Sequence, residues 1–135
     1  MSQKPVNFGV IGCGLMGREF ASASMRWLHL TGDVPRPAIV AACDMNQANL
    51  DWFRQVPDTR YFYTDYHDLL KNPEVEAVYC AVPHHLHAQV YGDVIRAGKH
   101  LIGEKPFGMN LAAFDEIQQA MRQHPEVFVR CASEF

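Results

Sequence analysis

Apolar residues along this chain fall into short dense runs separated by segments with helical spacing. Residues 6–13 (VNFGVIGC) form an apolar, β-prone run punctuated by glycine, the pattern of a buried strand. Residues 15–30 carry Met16, Phe20, Ala23, Trp27 and Leu30 at helical intervals, which predicts a helix over that span. Residues 32–37 (GDVPRP) read as a loop from their turn chemistry. A second buried strand is predicted over 38–43 (AIVAAC), then a helix over 45–55 that ends before Pro57. A short third strand is expected at 61–63 and a short helix at 66–71, stopped ahead of Pro73. Residues 75–82 (VEAVYCAV) give a fourth strand, halted by Pro83, and 86–97 a helix that closes at Gly98. A fifth strand covers 99–104. A helix over 111–123 places Leu111, Phe114, Ile117 and Met121 on one face, and a sixth strand follows at 127–131.

Strands that alternate with helices need crossover connections, which build a parallel sheet covered on both faces. The 135 residues suit one domain, expected to span 1–135 and to stop where a second domain would begin. A hydrophobic fraction of 48% with 20% charged residues is a globular profile. The net charge of −3, without a basic run, argues against nucleic acid or an acidic membrane as partner. No apolar stretch approaches the roughly 18 residues of a membrane span, and the N-terminus has no secretory pattern. Cys13, Cys43, Cys80 and Cys131 form no CxxC pair and all sit in apolar surroundings. They are expected to be buried reduced thiols, in keeping with a cytoplasmic location.

The sharpest local signal is Gly12-Cys13-Gly14-Leu15-Met16-Gly17, a GxGxxG between a predicted strand and a predicted helix. Gly12 would allow the tight turn, Gly14 the close approach of a pyrophosphate, and Gly17 close packing of helix on strand. The N–H groups of the helix start, at Leu15 and Met16, with the positive end of the helix dipole, would bind the pyrophosphate. A glycine turn without a ligand is the alternative. With six strands, this fingerprint implies a doubly wound Rossmann fold in the order 3-2-1-4-5-6. Asp44 closes the second strand, where an acidic residue accepts from the adenosine ribose hydroxyls and would repel a 2′-phosphate. No Arg or Lys follows it until Arg54, so NAD is expected in preference to NADP. A helix N-cap is the competing role for Asp44.

Two further segments fall at strand ends, where ligands of open parallel sheets bind. In Val82-Pro83-His84-His85-Leu86-His87 the three histidines have no cysteine or carboxylate at ligand spacing. No metal is therefore assigned, and a helix start with a cofactor-facing wall is expected. In Glu104-Lys105-Pro106 an amine could hold the nicotinamide and a substrate hydroxyl, and help to move its proton. Glu104 and Lys105, adjacent in an extended segment, cannot both face one spot without a bend. A surface lysine at a strand end is the simpler reading from composition alone.

With FGVIGCGLMG, VAACD, YTDYHDLL, VYCAVPHHLHAQV and AGKHLIGEKPFGMN in this order, the chain resembles the N-terminal domain of the glucose–fructose oxidoreductase/inositol dehydrogenase (Gfo/Idh/MocA) family. The resemblance implies NAD(P)-dependent oxidation or reduction at a hydroxyl or keto carbon of a sugar, inositol or related small molecule. It implies Lys105 as the catalytic residue of this domain, Pro83 and His87 along the cofactor crevice, and Glu104 in support. His84 departs from the family's frequent Asn, and the loop before the second strand is long. The family's second domain, an α/β unit that carries most substrate contacts, is absent here, so the chain alone is expected to be inactive. The intact protein is expected to be a homo-oligomer, its partners the dinucleotide and a polyol or sugar-like substrate. Two alternatives are a non-catalytic dinucleotide-binding regulatory module and, against the EKP segment, a methyltransferase binding S-adenosylmethionine.

Overall fold

The computed structural model describes residues 4–132. The two ends of the expected domain, residues 1–3 and 133–135, lie outside the described residues. The elements in order are β1 (Val6–Ile11), α1 (Leu15–Ser24), β2 (Pro37–Cys43), α2 (Gln47–Phe53), β3 (Tyr61–Tyr63), α3 (Tyr66–Leu70), β4 (Ala77–Cys80), α4 (His87–Arg96), β5 (His100–Glu104), α5 (Leu111–Gln123) and β6 (Val129–Ala132). 3₁₀ segments occupy Met25–His29, kinked at Arg26, and His84–Leu86. All strands pair in parallel, in the order β3-β2-β1-β4-β5-β6.

The continuous apolar runs are explained by burial on two faces. Val10, Ile39, Ala42 and Tyr79 pack under α1 and α2 with Ala21, Leu50 and Phe53. Their neighbours Ile11, Cys43, Val78 and Cys80 point to the opposite face, where Leu69 of α3, Val90, Val94 and Ile95 of α4 and Ile117 of α5 cover them. The register between β1 and β2 skips Val40, a bulge that leaves Val40 and Ala41 on one face. Side-chain caps start three helices: Asn46 accepts from Ala48 N–H, Asp65 from His67 N–H and Asn110 from Ala113 N–H. No helix among the described residues is long and apolar enough to cross a membrane.

Three expectations need correction. The helix predicted over 15–30 ends at Ser24, whose hydroxyl donates to Ala21 O at 2.7 Å, and the chain tightens into a 3₁₀ turn with Arg26 outside helical geometry. Its buried face is Gly17, Ala21 and Ser24, while Ala23 and Leu30 are exposed. The face predicted for α5 holds at Ile117, which is buried together with Ala120, but Leu111 is 81% and Phe114 37% exposed. Cys131 lies on the edge strand and is exposed, unlike the three other thiols.

Candidate functional site

At the carboxyl end of β1 the chain turns sharply at Gly12 (φ 95°), whose N–H donates to Cys43 O at 2.9 Å. A Cβ on Gly12 would stand 2.5 Å from Ala81 O beyond β4, and one on Gly17 only 2.2 Å from Gly12 O. Both glycines are thus demanded by the protein's own packing. Gly14 differs: its φ is −77°, and a Cβ there would meet nothing within 4 Å. The space beside it is open, as a backbone cradle for an approaching ligand requires. Gly14 is the N-cap of α1 without a side-chain cap, and no acidic residue stands in the first turn. The N–H groups of the helix start therefore meet no competing carboxylate from α1, and the dipole favours an anion there. Leu15 turns its side chain to solvent and Met16 is half-buried, so their main-chain groups are what this site offers.

Asp44 stands directly after β2, next to this loop. Its Oδ2 accepts from Cys13 N–H at 2.8 Å and from Asn49 Nδ2 at 3.2 Å, and its Oδ1 accepts from Asn46 N–H at 2.7 Å. The carboxylate ties the glycine turn to the β2–α2 connection. Two oxygens offer about four acceptor positions, so capacity for a further donor remains. The N-cap of α2 is Asn46, not Asp44.

The two remaining segments meet at the carboxyl ends of β4 and β5. Pro83, His84 and His85 are exposed on the rim. His87 does not face the crevice as expected: it is fully buried, and both ring nitrogens lie against main-chain carbonyls. Nδ1 is 2.7 Å from Pro106 O and Nε2 is 2.9 Å from Val82 O. Its ring stacks on Tyr91 at 4.6 Å. Burial at the start of α4 leaves it bracing the cleft wall from behind. Glu104 accepts from Tyr79 OH through Oε1 at 2.5 Å, and its main-chain oxygen accepts from Tyr91 OH at 2.5 Å. Burial raises the Tyr91 phenol far above its ordinary range, so it stays a donor. Lys105 follows, joined to Pro106 by a cis peptide bond. Its side chain is exposed and makes no hydrogen bond or ion pair among the described residues. The glycine loop, Asp44 and the Glu104–Lys105 segment thus share one edge of the sheet, around the β1–β4 junction where strand order reverses.

The residues that hold this arrangement were not all visible as motif. Tyr79, stacked on Phe20 at 4.3 Å, and Tyr91 belong to no recognisable motif. The available signal was Gly103, one residue before the EKP segment. A Cβ there would sit 2.7 Å from the Tyr91 ring, so the glycine marks a close approach.

The comparisons agree with this fold. The family model described as "Oxidoreductase family, NAD-binding Rossmann fold" (GFO_IDH_MocA) matches residues 6–131. An inositol 2-dehydrogenase/D-chiro-inositol 3-dehydrogenase of Lactiplantibacillus plantarum is 33% identical over 107 residues, 76% of this chain and 28% of that protein. A dTDP-3,4-didehydro-2,6-dideoxy-α-D-glucose 3-reductase of Saccharopolyspora spinosa is 32% identical over 77% of this chain and 29% of its own length. Scyllo-inositol dehydrogenase from Lactobacillus casei, solved with bound NAD(H) and scyllo-inositol, superposes with a TM-score of 0.83 at 25% identity, covering 96% of this chain and 36% of that one. The chain therefore spans about a third of the length of the relatives it matches. The family match over nearly all of its length, on a parallel sheet of the order 3-2-1-4-5-6, shows that the chain belongs to the Gfo/Idh/MocA oxidoreductases, as their NAD-binding Rossmann domain.

Proposed function

We propose that this domain serves an enzyme that oxidises or reduces a hydroxyl or keto carbon of a polyol, inositol or sugar, with NAD rather than NADP as its redox partner. The observation that carries the reading is the open space at Gly14 on the same sheet edge as Lys105, the one lysine of that edge whose amine is left without a partner among the described residues. The names of the inositol dehydrogenase relatives support the substrate class.

On this reading the start of α1, at Gly14, Leu15 and Met16, holds the pyrophosphate. Asp44 accepts from the adenosine ribose with its remaining lone pairs, and its charge repels a 2′-phosphate. The bound nicotinamide supplies the hydride acceptor or donor. Lys105 directs its amine at the substrate oxygen and assists the proton transfer that accompanies hydride movement. Pro83 forms part of the rim, whereas Glu104 and His87 act from beneath it.

Calorimetry of this chain with NADH, NADPH and S-adenosylmethionine tests the reading. NADH should bind at least about tenfold more tightly than NADPH, a difference of about 1.4 kcal/mol, with no binding of S-adenosylmethionine. Tighter NADPH binding overturns the cofactor preference, and binding of S-adenosylmethionine alone overturns the enzyme class.

A further inference from the structure

Lys105 is bracketed. The carbonyl of the residue before it, Glu104, accepts from Tyr91 OH at 2.5 Å. The carbonyl of the residue after it, Pro106, lies 2.7 Å from His87 Nδ1. Both side chains come from one face of α4, one turn apart, and their rings stack at 4.6 Å with 21° between planes. Both are fully buried. The other ring nitrogen of His87 reaches Val82 O at 2.9 Å, so the same histidine joins the β4 and β5 sides of the cleft. Gly103 makes room for the Tyr91 ring, and the Phe107 ring lies 5.2 Å from it. The main chain on either side of Lys105 is therefore pinned, while its amine is left free.

We propose that His87 and Tyr91 are positioning residues for Lys105: through the Glu104 and Pro106 carbonyls they fix where its amine meets the nicotinamide end of a bound dinucleotide. This rests on the reading of Lys105 given above. Neither residue touches the ligand. Their effect should be confined to the part of the dinucleotide that Lys105 reaches, because the glycine loop and Asp44 are held by other contacts.

The test compares NADH with ADP-ribose, which lacks the nicotinamide, by calorimetry on this chain. Tyr91→Phe keeps the ring and removes one hydrogen bond. His87→Phe keeps the stack and removes both carbonyl contacts. A hydrogen bond of ordinary strength corresponds to about three- to tenfold in affinity. Each variant should weaken NADH by about that factor and change ADP-ribose by less than about twofold. Lys105→Ala should show the same selective loss, and Tyr91→Phe should add nothing on top of it, since coupled residues are not additive.

Should His87→Phe fail to fold, Tyr91→Phe and its combination with Lys105→Ala still decide the matter. Unchanged NADH affinity in the Tyr91 variant, equal losses for NADH and ADP-ribose, or full additivity with Lys105→Ala each overturns the proposal. If the parent chain binds ADP-ribose but its NADH affinity is insensitive to Lys105→Ala, the placement of Lys105 fails first. If the parent binds neither ligand, the proposed function fails.

Discussion

Gly14 and Gly17 are glycine for opposite reasons. A methyl on Gly17 would stand 2.2 Å from the Gly12 carbonyl and force α1 away from β1, whereas one on Gly14 would point into open space at a permitted φ. Gly17→Ala should therefore cost about 1–3 kcal/mol or more of folding stability, as overpacking does, visible in urea unfolding. Gly14→Ala should cost less than about 1 kcal/mol yet reduce NADH affinity by at least about tenfold. Equal effects of the two substitutions on stability would contradict this division. The motif announced all three glycines, because their spacing is local. It did not announce that Gly12 rests on Ala81, or that Asp44 holds the turn through Cys13 N–H, since those contacts cross the sheet. His87 departs from its expected place for the same reason. Its partners lie 5 and 19 residues away, and sequence pattern does not distinguish a histidine braced by two carbonyls from one facing a ligand.

Element type was readable where periodicity was strong, while boundaries and exposed faces depended on contacts. α1 stops at Ser24 because a serine hydroxyl takes a carbonyl, although the apolar spacing continues to Leu30. The short α3 owes its place to a tie with α4 that periodicity could not show. Tyr66 OH donates to Asp93 Oδ2 at 2.5 Å, Arg96 Nη2 donates to Oδ1 at 2.7 Å, and His67 Nε2 lies 3.7 Å away. Burial opposes ionisation of Asp93, but the Tyr66 and Arg96 hydrogen bonds outweigh it and hold the carboxyl below its ordinary range. The sign follows from linkage. A depressed folded value gives stability that is complete above the unfolded value of about 3.9 and is lost as pH falls through the folded one. Asp93→Asn should therefore be less stable than the parent at pH 7. Its stability should decline less as pH is lowered from about 5 to about 2. Urea midpoints across that range measure both slopes, and parallel slopes would remove Asp93 from acid sensitivity.

At the scale of the whole molecule the strand order was legible because alternation and the glycine loop leave few topologies. What the pattern hid was depth, and the thiols report it. Cys13, Cys43 and Cys80 belong to the central strands or their immediate ends and are at most 4% exposed, whereas Cys131 sits on β6, at the end of the sheet order. Burial pushes Cys43 and Cys80 up to about 12 and raises Cys13 as well, with the Asp44 charge adding to the effect at Cys13 and Cys43. A thiol reagent at pH 8 should label Cys131 within the native chain and leave the other three until the domain opens. If that opening is global, the three should share one slow rate, because central strands exchange through the most costly openings. NADH at 100 times its dissociation constant stabilises the folded state by about 2.7 kcal/mol. It should then slow the three buried thiols about a hundredfold without protecting Cys131. Early labelling of Cys13 alone would show instead that the glycine turn opens locally, detached from the sheet that presents it.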